Sequence, residues 1–551
     1  MSLSITNSNI LLSDEETDDD ENPSETSDYV EIDEDSYDSD DDIENTDSEL
    51  DSYLSKDKKI QWYPEPVSSV SGRALSSNVI KLTPGITRYA AKRITSDEIS
   101  AFQLLFTNSI EETVIVNTNR EGQLVYDNDW KPLDNVELNA YIGLLILAGV
   151  YKSNNEALEN LWDNSKGRPI FRAVMSLKRF KVITRVIRFD DRNTRAIRRP
   201  TDKLAPIREL WSKWVEILPK LFNPGECVTI DEQLIGFRGK CPFRQYMPKK
   251  PNKYGIKFWV LCDSKNCYVW NIQVYTGKDI GQAPEKKQGL RVVLDLCTAA
   301  LRGRNVTVDN FFASYELGQL LLKRDITMIG TIRKNKTTIP CILLDMKRRP
   351  LFTSRFCFTA DTSLVSYNPK KNKVVVLQST MHMNKYVSTD SERKPYIILD
   401  YNATKGAVDT VDKMITSYSC KRKTKRWPLV VFCNILDISV INAFVLFTNV
   451  YPDWNVMKHH RRRIFIASLG ESLVKEHMAR RVSPPRGLNS QLILTECNTS
   501  MQDSIPAVGR DQQKRGRCTI CKKSDNKHTT KCKNCDKFIC KSHTITVCMN
   551  C

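Results

Sequence analysis

The sequence predicts an α/β protein with a mixed sheet at its centre, helical stretches before and after that sheet, and a small cysteine-rich module at the C-terminal end. Three observations predict it. After the Asn223-Pro224-Gly225 turn, runs of strand and helix character follow in the order β-β-β-α-β-α-β. From about 86 to 222, and again from about 406 to 480, apolar residues recur every three to four positions. Seven of the 17 cysteines fall after residue 517.

Residues 1–55 carry 21 Asp and Glu, no Lys or Arg, and few aliphatics, so they bury too little apolar surface to offset the entropy of ordering and are expected to be disordered. Ser13 and Ser39, each preceding an acidic run, are candidate phosphorylation sites. Residues 56–85, with Pro64, Pro66 and Pro84, read as a linker. DEISAFQLLFTNSI, VELNAYIGLLILAGVY and FRAVMSLKRFKVITRVIRF make 86–222 an all-helical unit. ECVTIDEQLIGF, GIKFWVLCDS and CYVWNIQVY read as an antiparallel meander, and two helix–strand pairs complete a sheet domain over 223–336. Residues 337–397, hairpin-like at LVSYNPKKNKVVVLQST, read as an inserted subdomain. A helix within 398–418 returns to the sheet domain, and 419–480 is helical again. Residues 481–515 are a Pro/Gly/Ser/Gln-rich linker, and 516–551 form the cysteine-rich module.

The formal charge is +16, and setting aside the 21 negative charges of the first 55 residues leaves +37 on the remainder. A body this basic calls for a polyanionic partner, because neutralising phosphates releases condensed counterions. The acidic start is not of signal-peptide type, so secretion is not expected, and scattered cysteines with one local cluster fit a reducing compartment. Leu429 to Phe447 is apolar enough to consider a membrane, but Asn434, Asp437 and Asn442 interrupt it at near-helical spacing, which suits a buried core helix. A Walker-type glycine loop and an HExxH motif are both absent.

Three carboxylates occupy special places. Asp231 follows Val228-Thr229-Ile230, Asp309 follows Val306-Thr307-Val308, and Asp409 lies in the helix after the insertion, with Asp412 one turn on. Strands in this order bring the first two to one side of the sheet, and a helix packed nearby can add the others. Such a cluster of hard oxygen ligands suits two-metal phosphoryl transfer, with Mg²⁺ the expected ion and Mn²⁺ able to substitute.

VTIDEQLIGFRGKCPFRQYMPKKPNKYGIK, NVTVDNFF, IGTIRKNK, KGAVDTVDKM and CKRKTKRWP, in this order, resemble successive motifs of the piggyBac transposase family across about residues 85–480. The resemblance implies an RNase H-like catalytic core of the DDE/D superfamily with an insertion, inside a split helical domain that dimerises and grips DNA. It maps the catalytic, metal-binding triad onto Asp231, Asp309 and Asp409, with Asp412 at a further acidic position. It implies excision of a transposon through hairpin ends, joining at TTAA, terminal inverted repeats as the DNA partner, a homodimer, and a nuclear location.

Basic residues around the acids are candidate DNA contacts: Arg238, Lys240, Arg244, Lys249, Lys250 and Lys253, interleaved with Phe243 and Tyr246, then Arg333 and Lys336, with Asn310 beside Asp309. Arg422, Lys425 and Arg426 precede Trp427, which the resemblance casts as a stacking platform for an unpaired base.

Cys518/Cys521, Cys532/Cys535, Cys540/His543 and Cys548/Cys551 are four ligand pairs of two-residue gap, eight soft ligands for two structural Zn²⁺. Only four residues separate the second pair from the third, which favours an interleaved cross-brace, pairs one and three on one ion and two and four on the other. Sequential pairing is the alternative. In the family resembled, the equivalent module binds terminal repeats. Lys514, Arg515 and Arg517, and the KHHRRR run at 458–463, offer nuclear-import charge or phosphate contacts.

Overall fold

The computed structural model describes residues 51–67, 79–248, 250–277, 285–481, 485, 487–503, 516–517, 519–521, 527–528, 537–540 and 543. The acidic tract to residue 50, with Ser13 and Ser39, lies outside the described residues, as do Lys249, Lys514 and Arg515.

The described chain begins with structure where a disordered end and a linker were expected. β1 (Tyr53–Leu54) pairs antiparallel with β2 (Gln61–Trp62). Trp62 is fully buried, its indole N–H donates to the Thr338 carbonyl at 3.0 Å, and Tyr63 bridges to Phe358. One indole supplies enough apolar area to hold a short hairpin in place, and a charged, proline-containing stretch conceals it from composition.

β3 (Gly85–Ile86) opens the helical part and pairs with β4 (Phe222–Asn223), which closes it. Between them run α1 (Arg88–Ala91), α2 (Glu98–Gln103), α3 (Asn108–Tyr126), α4 (Asn135–Val150), α5 (Leu158–Leu161), α6 (Pro169–Val174), α7 (Leu177–Val186), α8 (Arg195–Arg198) and α9 (Arg208–Leu221). α4 starts where the Asp134 carboxylate accepts the Glu137 N–H at 2.8 Å. It is apolar on all sides and accordingly enclosed on all sides.

The sheet contains β5 (Cys227–Gly236), β6 (Gln245–Tyr246), β7 (Tyr254–Asp263), β8 (Val269–Val274), β9 (Asn305–Val308) and β10 (Thr327–Thr331), with α10 (Gln288–Leu296) before β9 and α11 (Tyr315–Leu322) before β10. β5 is central: antiparallel to β7, which pairs β8, and parallel to β9, which pairs parallel with β10. The meander and the two following strands are therefore as the alternation of the sequence predicts.

The predicted inserted subdomain is not a separate sheet. β11 (Ser354–Phe358), β12 (Ser363–Lys370) and β13 (Lys373–Ser379) continue the central sheet, β13 pairing antiparallel with β10, to give nine strands in all. An unpaired β10 edge would expose a row of backbone donors and acceptors, and β13 covers it.

α12 (Tyr396–Thr404) and α13 (Ala407–Tyr418) then pack over β5, and α14 (Trp427–Val450) and α15 (Arg461–Ala479) rejoin the first helical part. α14 is long and apolar enough to cross a membrane, yet 94% of its most apolar window is buried inside the protein. Phe432 packs against Phe106 and stacks on Phe189, and Ser439 accepts the Trp214 indole N–H at 2.9 Å. The expected linker 481–515 contains a helix, α16 (Leu488–Asp503), whose Leu494 and Cys497 are buried and whose Ser490 hydroxyl donates to Pro169 O at 3.0 Å. Its apolar residues are few, and the surface of α6 and α15 is what gives them a face to cover.

Candidate active site

The first two carboxylates meet because of strand register. Ile230 of β5 is level with Val308 of β9, the last pair of that ladder, so Asp231 and Asp309 follow side by side where the two parallel strands part. The Asp309 carboxylate accepts the Phe311 N–H at 2.9 Å, which turns the chain off the sheet. Below this point, Thr229 Oγ1 donates to the Thr404 carbonyl and Thr307 Oγ1 pairs with Thr404 Oγ1, both at 2.7 Å. These bonds tie the end of α12 to both strands and so place the start of α13.

One oxygen each from Asp231, Glu232 and Asp309 lies within 4.8 Å of the other two. Glu232 is a site residue that strand alternation argues against, since neighbours on a strand face opposite ways. Beyond Ile230, however, β5 has no β9 residue beside it, and the Glu232 carboxylate turns into the same group.

α13 presents the remaining acids. Asp412 Oδ1 accepts from Gln233 Nε2 at 2.6 Å, whereas the Asp409 side chain is 59% exposed and stands 3.9 Å from Lys250 Nζ. Of the predicted metal triad, two members are thus together and Asp409 is outside the close group, because the buried face of α13, with Val408, Val411 and Ile415, turns Asp412 inward and Asp409 toward solvent.

Charge crowding is evident. Burial, then the Glu232 and Asp309 charges, push the Asp231 carboxyl up to about 8. Burial and Glu232 push Asp309 up to about 6, against the pull of backbone N–H groups and Arg333. Burial raises Asp412 to about 6, opposed by the Gln233 hydrogen bond and Lys250. Lys250 also donates to the Glu232 carbonyl at 3.0 Å. A second lysine, Lys257, lies over the Phe311 and Trp259 rings; burial lowers its pKa while Glu232, Asp309 and Asp231 hold it up. Its place was readable only from the pairing of Leu234 with Lys257 across β5 and β7.

The predicted DNA-contact residues divide. Arg238, Lys240, Arg244, Lys253 and Asn310 are exposed, with Arg244 donating to the Arg238 and Gly239 carbonyls at 3.0 and 3.1 Å. Arg333 and Lys336 are half-buried, and burial with the neighbouring Arg333 and Lys287 charges lowers the Lys336 pKa. Lys425 is exposed. Arg422, Arg426 and Trp427 are engaged within the fold. Arg422 donates to the Ser153 and Glu156 carbonyls, Arg426 to those of Thr184, Arg185 and Ile187, and Trp427 is 6% exposed, edge-on to Phe243 at 4.9 Å. Arg422 and Arg426 join the start of α14 to the first helical part, and Trp427 packs on the segment between β5 and β6.

At the C-terminal module, Cys521 Sγ, Cys540 Sγ and His543 Nδ1 converge with separations of 3.2 to 3.4 Å. This joins a member of the first ligand pair to both members of the third. Cys518, Cys532, Cys535, Cys548 and Cys551 lie outside the described residues.

The family described as Transposase IS4 matches residues 97–444, more than half the chain. Human PiggyBac transposable element-derived protein 3 is 25% identical over 431 residues, 73% of this chain and 68% of that protein. The human Chimeric ERCC6-PGBD3 protein is also 25% identical, and the match spans 38% of its length. A cryo-EM structure of a piggyBac transposase synaptic complex with hairpin DNA is 34% identical with a TM-score of 0.70, covering 85% of this chain and 100% of that one. With the fold, the paired carboxylates and these matches in agreement, the chain belongs to the piggyBac-type transposase family.

Proposed function

We propose that this protein is a cut-and-paste DNA transposase that excises its element through hairpin ends and integrates it at TTAA, acting as a homodimer in the nucleus on terminal inverted repeats. The observation that carries the reading is the convergence of Asp231, Glu232 and Asp309 within 4.8 Å where β5 and β9 part, with α13, the helix of Asp409 and Asp412, packed on β5. Carboxylates crowded until two of them titrate well above their usual range fit a divalent cation, whose charge relieves the repulsion. Two Mg²⁺, or Mn²⁺, held by Asp231 and Asp309, with Asp409 joining from α13, would activate the attacking oxygen and stabilise the leaving one. Around them, Arg333 and Lys336 draw the scissile phosphate toward an acidic pocket, Asn310 reaches the DNA beside Asp309, and Lys250 balances the acids until DNA arrives. Arg238, Lys240, Arg244, Lys253 and Lys425 extend the phosphate-binding surface. The separations among Cys521, Cys540 and His543 suit a tetrahedral ion with bonds of about 2.0–2.3 Å. They support two structural Zn²⁺ in the cross-brace, the other ligands being Cys518, Cys532, Cys535, Cys548 and Cys551.

The test is excision from a donor plasmid carrying the gene's own genomic flanks, with wild type and Asp309→Asn, followed by sequencing of the repaired donor. Restored TTAA with wild type alone is the expected result. Tight binding of the flanks without excision would instead make the protein a domesticated, sequence-specific DNA-binding member of the family.

A further inference from the structure

Asn434, Asp437 and Asn442 of α14 are each nine-tenths buried or more, where an unpartnered polar group is costly. Each reaches a different element. Asn442 exchanges two hydrogen bonds with the Val269 backbone in β8, both at 2.9 Å. Asp437 accepts from Ser419 Oγ at 2.6 Å and from the Cys420 N–H at 2.8 Å, at the two residues that follow α13. Asn434 donates from Nδ2 to Gln233 Oε1 at 3.0 Å, and Gln233, fully buried two places after Asp231, donates from Nε2 to Asp412 Oδ1 at 2.6 Å.

We propose that Asn434 and Gln233 form a buried relay that aims the Asp412 carboxylate at the active site, making both of them positioning residues for strand cleavage; the inference rests on the metal-dependent transposase reading. The polarity of the relay is dictated from its outer end. A carboxylate only accepts, so Gln233 must turn its NH₂ to Asp412, and its carbonyl oxygen then needs a donor, which Asn434 supplies. Asn434 Oδ1 is left buried without a partner. A leucine at 434 would fill the same helix face and remove that orphan, but it would strand Gln233 Oε1 in its place, so the amide contributes at the far end of the relay and not to the packing of α14. Lys250, bonded to the Glu232 carbonyl and 3.9 Å from Asp409, bridges the strand acids and the helix acids. A misaimed Asp412 would therefore disturb both sets.

The experiment uses the full chain. Nicking of transposon-end DNA is titrated with Mg²⁺ for wild type, Gln233→Leu, Asn434→Leu and Asn434→Asp, with Asn442→Leu as a buried-amide control on the same helix. Asn434→Asp keeps the size of the side chain and replaces its amide donor with a carboxyl, and thermal denaturation of every variant separates a misfolded protein from a misaimed carboxylate. Binding of Mn²⁺ alone, without DNA, is measured in parallel by electron paramagnetic resonance. The relay predicts a rise of about tenfold or more in half-maximal Mg²⁺ for the 233 and 434 variants, partial rescue at saturating Mg²⁺, unchanged DNA affinity, and a matching loss of Mn²⁺ affinity. Asn442→Leu should lower thermal stability and leave the cation requirement where it was. Variants at 233 and 434 that lose stability as Asn442→Leu does, with wild-type cation dependence, would overturn the relay. If wild type binds Mn²⁺ but cuts no DNA, the transposase reading fails while the Mn²⁺ affinities still decide the relay, and a wild type that binds no Mn²⁺ overturns both.

Discussion

Residues 238–253 and 421–427 are both rich in Lys and Arg, both contain aromatic side chains, and each lies shortly after a carboxylate of the site in the sequence. Their fates differ. In the first, Arg238, Lys240, Arg244 and Lys253 face solvent. In the second, Arg422 and Arg426 donate to carbonyls near the ends of α4 and α7, and Trp427 is buried edge-on to Phe243. The difference is what each stretch has to join. The planar guanidinium fork suits backbone carbonyls near helix C-termini, and 421–427 must fasten α14 to a helical part about 240 to 270 residues earlier in the chain. Residues 238–253 connect neighbouring strands of one sheet and are free to spread charge outward. Net charge reports a polyanionic partner; it does not report which cations meet it.

The largest test of this contrast is Trp427→Ala. It should cost about 3–5 kcal/mol of unfolding free energy by chemical denaturation, as for a buried aromatic. Unchanged stability with a selective loss of hairpin-DNA binding would break the comparison and return Trp427 to the role of a stacking platform. Next, Arg426→Ala removes the donor to the Thr184 carbonyl, while Arg188 still reaches the Arg185 and Ile187 carbonyls, and should cost about 1–3 kcal/mol. Arg426→Lys should restore little, because an ammonium lacks the fork. Replacing Arg238, Lys240, Arg244 and Lys253 together by alanine should act oppositely. Stability should stay within about 0.5 kcal/mol per site, while the slope of log affinity against log salt falls by up to about 0.9 per phosphate contact removed.

The smallest effect sharpens the comparison at Lys250, which stands among the exposed cations yet leans on the acids. Asp231 is raised to about 8, so at neutral pH protons compete with a cation for the pocket, and cleavage at limiting Mg²⁺ should rise with pH. Lys250 favours the charged forms of Asp231 and Asp412, and Lys250→Met should push both carboxyls further up. The pH of half-maximal cleavage then moves upward by a fraction of a unit. A downward move would show that Lys250 faces the acids differently.

By itself the sequence determined what local rules determine. β-rich runs between Gly, Pro, Lys and Asp breakers specify β5, β7 and β8, and an aspartate closing each of two short apolar runs marks the end of β9 and the point in β5 where the two strands part. Those two carboxylates must meet once the strands pair in parallel, so the heart of the site was readable. The motif spacing favours interleaved over sequential pairing of the cysteine pairs, and among the described residues Cys521 lies beside Cys540 and His543. Other features depended on partners far off in the chain. Trp62 makes a hairpin of an apparent linker only because Thr338 and the strands near Phe358 receive it. β13 joins the central sheet because β10 would otherwise be an open edge. Glu232 enters the acid group where β5 loses its neighbour, against strand alternation. Asn434 and Gln233, polar residues that a single sequence shows only as blemishes in apolar runs, acquire their meaning from Asp412 on a third element. Periodicity and turn chemistry are written within a few residues. Which buried amide meets which carboxylate, and which arginine meets solvent, is settled only when distant surfaces exclude water between them.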